Sequence, residues 1–302
     1  MIHGPILVPE ELAQSQARFN GDAGRAFVAG LPELAARWLD RWGLRQTGPS
    51  MYGAASLVLP VTRTSDGTRA ALKMRLVDEE SAGEAAGLRM WGGRGSVRLL
   101  DEDPETGTLL LERLDEGRHL STLGDTRQAT RILAELLARL VAVPAPAGLR
   151  RLADIAAAML VDVPEAAGRL GEEDARLLKD CAAAVREVVG EPGDRLLHWD
   201  LHTDNILAAD REPWLAIDPK PLVGDPGFDL MPALTSGFDP DPAETLWRFD
   251  LLTEVLGLDR ARAAAWTLGR VLQNGLWAVE DGEDALGEEQ VSIARTLLAR
   301  AS

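Results

Sequence analysis

Apolar positions recur at helical spacing over residues 31–42, LPELAARWLDRW, with Pro32 suited to a first helical position. From residue 44 to 113 the pattern shortens to strands. Residues 56–64 and 70–76 alternate on either side of Ser65-Asp66-Gly67-Thr68, which reads as a hairpin turn. A helix over 79–91 is closed by Gly92 and Gly93, and two more strands, 97–101 and 108–113, are joined by a turn at 103–107. Beyond residue 114 the chain becomes rich in Ala and Leu, and helical spacing returns over 125–143, 149–160, 172–189, 244–256 and 259–280. Between 195 and 228, short apolar runs instead alternate with polar loops. The pattern predicts an α+β protein of two lobes, with their junction near 111–117. Residues 1–114 form a small β-rich lobe and 115–302 a larger, mainly helical one.

The 302 residues are 46% apolar and carry 48 acidic against 32 basic side chains, a net −16. A phosphate-backbone binder needs a basic face, so nucleic acid is not an expected partner. The single cysteine, Cys181, has no mate for an internal disulfide and cannot supply a Cys-rich zinc site. The first ten residues lack Lys and Arg and do not read as a signal peptide, and no apolar run approaches the ~20 residues of a membrane span. The expectation is a cytoplasmic monomer with no membrane partner. One bias sharpens the reading: there are 29 Arg but only Lys73, Lys179 and Lys220. A Lys inside an apolar strand therefore suggests a task for a compact ammonium in place of a planar fork.

Most short enzyme signatures are absent: no Gly-Lys for a Walker loop, no Gly-x-Ser-x-Gly and no His-Glu-x-x-His. What remains is residues 196–229, LLHWDLHTDNILAADREPWLAIDPKPLVGDPGFD. His198, Asp200 and Asn205 form H-x-D-x-x-x-x-N, a phosphoryl-transfer catalytic loop with the Asp-to-Asn spacing of kinases. A strand, a turn at 210–213 and a second strand at 214–217 then deliver Asp218. Two strands joined by a tight turn bring Asn205 beside Asp218, where an amide and a carboxylate oxygen suit Mg²⁺ held against ATP phosphates. Asp200 is then free to accept the proton of an acceptor hydroxyl.

Lys73 lies mid-strand, where its ammonium suits the α- and β-phosphates, and Glu84 on the following helix is its expected partner. The loop at 48–53, which includes Ser50, is the segment assigned to cover the phosphates. Backbone groups from Glu112 to Leu114 are assigned to adenine. His198 reads as a structural hydrogen-bonder under the loop. Lys220 reads equally as a nucleotide or acceptor contact and as a solvent-facing residue. The pair His198 and His202 also admits a zinc-hydrolase reading, but only His3 and His119 remain elsewhere.

With those residues in view, the chain resembles the aminoglycoside phosphotransferase family, a branch of the protein-kinase-like fold. HWDLHTDN followed by LAIDPKPLVGDPGFDL is most similar to the streptomycin 6-phosphotransferases and hydroxyurea phosphotransferases. VRLLDED, LLLERLD, VPAPAGLR, EPGDRLLHWDLH and RFDLLTEVLGLDR extend the likeness over nearly the whole chain. The resemblance implies Asp200 as base, Asn205 and Asp218 as Mg²⁺ ligands, and Lys73 with Glu84 on the phosphates of ATP. Ile217-Asp218-Pro219 replaces the Asp-Phe-Gly of protein kinases, and no Ala-Pro-Glu segment follows, which favours a small-molecule acceptor.

Residues 1–116 carry 17 acidic and 13 basic side chains, so most of the negative excess falls in the second lobe. That suits a small cationic acceptor held by carboxylates, and equally suits simple solubility. Asp225, Asp229, Trp277, Glu280 and Asp281, with Glu283 and Asp284, are the assigned acceptor residues. Trp266 and Trp277, eleven apart on one helix, read as packing. The expected activity is phosphorylation of a hydroxyl of a cationic antibiotic, streptomycin first. The alternatives are hydroxyurea or another small metabolite as acceptor, and a catalytically silent nucleotide-binding protein.

Overall fold

The computed structural model describes residues 6–53 and 55–301. Contacts divide the chain into two units, Met1–Gly93 with Val97–Leu114, and Arg94–Ser96 with Asp115–Ser302.

The first unit opens with α1 (Glu10–Arg41), in which Gly21 interrupts the helical backbone at φ 52° and ψ −127°. There follow β1 (Leu44–Gln46), β2 (Met51–Tyr52), β3 (Ser56–Arg63), β4 (Arg69–Arg75), α2 (Glu84–Trp91), β5 (Leu99–Asp103) and β6 (Thr108–Glu112). The strands form an antiparallel sheet in the order β1-β3-β4-β6-β5, with β2 added to β3. Strand periodicity explains the packing. In β4, Leu72 and Met74 join Trp38 and Leu39 of α1 in the core, and the alternate residues Lys73 and Arg75 face the other side. Each fully buried Leu there contributes roughly 1.5–3 kcal/mol. The β3–β4 hairpin turns where the sequence predicts, with the Asp66 carboxylate accepting the Thr68 N–H at 2.9 Å.

The second unit contains β7 (Asp115–His119), α3 (Thr126–Val141), β8 (Arg150–Arg151), α4 (Leu152–Ala167), α5 (Glu172–Val188), β9 (Arg195–Leu197), β10 (Ile206–Ala208), β11 (Trp214–Ala216) and β12 (Leu222–Gly224). It continues with α6 (Met231–Thr235), α7 (Pro242–Leu256), α8 (Arg260–Glu280) and α9 (Glu288–Ala301). Aspartate caps start three of these helices: Asp125, Asp241 and Asp259 accept backbone N–H groups of Gln128, Ala243 and Arg262. Two small sheets, β11-β10-β7 and β8-β12-β9, frame the loops of interest. Because β12 pairs antiparallel with β9, the chain leaving β9 and the chain entering β12 lie side by side. Among the described residues, no helix is long and apolar enough to cross a membrane.

Three predicted helices shift by more than two residues at an end. The helix predicted at 31–42 extends back through Pro32 to the break at Gly21, and a further helical stretch precedes the break from Glu10. The helix predicted from 79 starts at Glu84, with residues 79–83 in turns. The helix predicted at 149–160 is α4, which passes Pro164 and ends at Ala167.

Candidate active site

The catalytic-loop residues sit between β9 and β10, and Asp218 follows β11. Four hydrogen bonds tie loop 198–205 to itself and to loop 217–221. The Ile217 N–H donates to Asn205 O at 2.9 Å, and the Lys220 N–H to His198 O at 3.0 Å. The Asn205 side-chain amide donates to Asp200 O at 2.9 Å, leaving its oxygen as the atom able to ligate. His198 Nε2 donates to Ile217 O at 3.1 Å. The β10–β11 register pairs Ile206 with Ala216, which brings Asn205 opposite Ile217 and one residue short of Asp218.

His198 is completely buried. With Nε2 donating to a carbonyl, its Nδ1 accepts the Asp200 N–H at 3.3 Å, so both ring nitrogens are committed in the neutral tautomer. Burial pulls its pKa down to about 4, against the opposing pull of the Asp200 and Asp218 carboxylates. A ring held in this way is not a zinc ligand, and among the described residues no group of three or more His, Cys, Asp or Glu is gathered for a metal.

Asp229 is 0% exposed and does not face an acceptor. Its carboxylate receives the His198 N–H at 2.8 Å and the Trp199 N–H at 2.6 Å, so it holds the catalytic loop from beneath. Burial raises its pKa to about 7, moderated by those two N–H groups and by Arg270. Asp225 is also largely buried and has partners of its own. One of its oxygens caps the turn at Gly227 and the other pairs with Arg262 Nε at 2.6 Å. The sequence contained a signal for both: two carboxylates within the largely apolar stretch from Leu222 to Leu234 need partners of their own.

Trp199 has φ 66° and Asp218 φ 56°, left-handed backbone that a non-glycine residue adopts at a cost. At Trp199 the surroundings hold it there. The ring is fully buried, the guanidinium groups of Arg150 and Arg270 each lie 4.6 Å from it, and Trp277 meets it edge-on at 5.9 Å. Trp277 therefore packs beside the residue preceding Asp200. Glu280 and Asp281 are exposed at the C-terminal end of α8.

In the first unit, Lys73 Nζ donates to Glu84 Oε1 at 2.8 Å, and Arg75 Nη1 lies 2.8 Å from the other carboxylate oxygen. Lys73 is 4% exposed and Glu84 1%. Arg75 escapes the sequence reading, although its two-residue offset from Lys73 puts it on the same face. Ser50 precedes β2, Glu112 ends β6 with its carboxylate accepting the Arg98 N–H, and Leu114 is buried. Lys220 Nζ stands 3.3 Å from Asp200 Oδ2, with side-chain exposures of 35% and 24%.

Known proteins share this framework. A hydroxyurea phosphotransferase of Kitasatospora aureofaciens is 63% identical, covering 98% of this chain and 87% of its own length. A streptomycin 6-kinase of Streptomyces glaucescens is 59% identical, with 97% of both chains covered. The crystal structure of an aminoglycoside phosphotransferase, in ternary complex with AMP-PNP and hygromycin B, superimposes with a TM-score of 0.61 at 16% identity. The alignment spans 89% of this chain and 99% of that one. At that identity the likeness shows the fold, a two-lobed α+β kinase-like fold. The sequence pattern of one family, described as aminoglycoside/hydroxyurea antibiotic resistance kinase, matches residues 41–282. The chain belongs to that family of antibiotic resistance kinases.

Proposed function

We propose that the chain transfers the γ-phosphoryl group of ATP to a hydroxyl of streptomycin, with Asp200 as the base. The observation that carries the reading is the cross-bonded pair of loops holding Asp200, Asn205 and Asp218. ATP use follows from membership of a kinase family. Asp200 receives the hydroxyl proton and orients the attacking oxygen. Lys73, fixed by Glu84, is assigned to the nucleotide phosphates, Ser50 to the covering loop, and the backbone of Glu112 and Leu114 to adenine.

Asn205 and Asp218 offer one amide oxygen and one carboxylate, a hard and incomplete donor set of the kind magnesium shares with phosphate oxygens. Those two residues would hold Mg²⁺, which when bound offsets charge on the phosphates. Little bond-making falls to the protein, so positioning carries the rate. For the acceptor, the exposed acids Glu280 and Asp281 stand at the negative end of the α8 dipole, where they cost stability and favour a cation. Trp277, one turn earlier, links that end of α8 to Trp199.

A second reading takes hydroxyurea as the acceptor, and the 63% identical relative named for that activity favours it. Both readings share the catalytic residues.

The test is Asp200→Ala in the full chain. Turnover should fall by about 1000-fold or more, while ATP affinity stays within about threefold and the melting temperature is unchanged. Turnover retained at the wild-type level would remove Asp200 from the chemistry.

A further inference from the structure

Lys220 is one of three lysines in a chain that otherwise uses arginine, and its ammonium lies 3.3 Å from Asp200 Oδ2. Its backbone is fixed as well: the Lys220 N–H donates to His198 O at 3.0 Å, and prolines flank it on both sides. The stem therefore leaves a rigid point of the catalytic framework. Both partners remain partly exposed, so the pair opens to solvent and is not buried as a structural bridge would be.

A partly exposed ion pair contributes modestly to stability. The choice of lysine has a chemical rationale. A guanidinium fork favours both oxygens of a carboxylate at once, whereas an ammonium is a point charge that engages one. With Oδ2 on Lys220, Oδ1 is left for the acceptor proton.

Resting on the phosphotransferase reading above, we propose that Lys220 is a further catalytic residue. Its ammonium holds Asp200 by one oxygen and touches the phosphoryl group in transfer. The attacking hydroxyl lies between Asp200 and the phosphorus, so a cation on the carboxylate is about one hydroxyl away from the phosphoryl oxygens. In the step, the hydroxyl proton passes to Asp200 Oδ1 and the hydroxyl oxygen forms the new O–P bond. The bond from the γ-phosphorus to its bridging oxygen breaks, and that electron pair leaves on ADP. The proton later passes from Asp200 to water. Because the transferred group is loosely bonded in the transition state, charge offset on the phosphoryl oxygens matters more than the strength of the base.

The experiment compares the full-length wild type with Lys220→Met in two measurements. One is steady-state ADP release with Mg-ATP and acceptor. The other is calorimetric affinity for ADP with magnesium, without and with aluminium fluoride as the phosphoryl mimic. Lys220→Met should lose about 100-fold or more in kcat with the KM for ATP changed by less than about threefold. It should bind ADP as the wild type does but lose most of the extra affinity that fluoride confers. A variant that keeps both kcat and the fluoride increment overturns the proposal. Loss of kcat with the increment intact overturns the contact with the phosphoryl group. A wild type that binds no nucleotide overturns the phosphotransferase reading and this proposal together. A wild type that binds while the variant is unaltered overturns this proposal alone.

Discussion

His198 and Asp229 form a buried polar layer under the catalytic loop, and each answers acid differently. The unfolded chain protonates His198 near its ordinary 6.5, whereas burial holds the folded value at about 4. Its stabilising contribution is full above 6.5 and is lost as pH falls toward 4. Asp229 runs the other way. Its folded value of about 7 lies above the ordinary 3.8, so its contribution is full below 3.8 and fades as pH rises through 7. A His198→Gln variant retains Asp229, so the difference between the two proteins isolates the histidine. Chemical denaturation should show the wild type losing up to ~3 kcal/mol relative to His198→Gln between pH 6.5 and 4. Parallel curves would contradict the buried neutral tautomer. At this scale the sequence was informative for residues whose chemistry is set by short spacing, and His198 is a buried hydrogen-bonder as it predicts. It was uninformative where a carboxylate's partner comes from a distant part of the chain. Asp229 answers backbone groups 30 and 31 residues away, and no local pattern encodes that pairing.

At the scale of elements, the turn Asp225 to Phe228 must lie close against α8. A Cβ on Gly227 would stand 2.8 Å from Ala263 Cα and 3.1 Å from Trp266 Cβ, and Thr267 Oγ1 donates to Gly227 O at 3.0 Å. Gly227→Ala should therefore push α8 away from the turn, at about 1–3 kcal/mol and a fall of roughly 3–8 °C in melting temperature. In Gly30→Ala, where the same probe meets nothing within 4 Å inside α1, stability should rise by about 0.5–1 kcal/mol. Equal effects at both positions would contradict the packing argument. Helices with an aspartate cap and an apolar stripe, such as α3 and α8, were legible from the sequence for those reasons. Residues 10–30 of α1 were not, because Gly21, Gly24 and Gly30 weaken the helical signal there. Strands of two to five residues such as β7, β8 and β12 owe their existence to partners, and carry too few positions for a period to show.

For the molecule as a whole, the change from strand to helical pattern near residue 114 foretold the α+β class, and the family relationship agrees with the loop motif. The acceptor was the least legible feature, since an acidic surface serves both solubility and recognition. Charge separates the two acceptors: streptomycin is a polycation and hydroxyurea is neutral. The decisive measurement is ADP release from Mg-ATP by the wild type with streptomycin, hydroxyurea, other aminoglycosides and simple sugars, at low and high salt. The expected result is saturable, streptomycin-dependent turnover whose KM rises several-fold between about 0.05 and 0.5 M salt, as screening weakens the carboxylate field. Turnover with hydroxyurea alone, indifferent to salt, would contradict the cationic acceptor, and turnover with none of the panel would contradict the proposed activity itself.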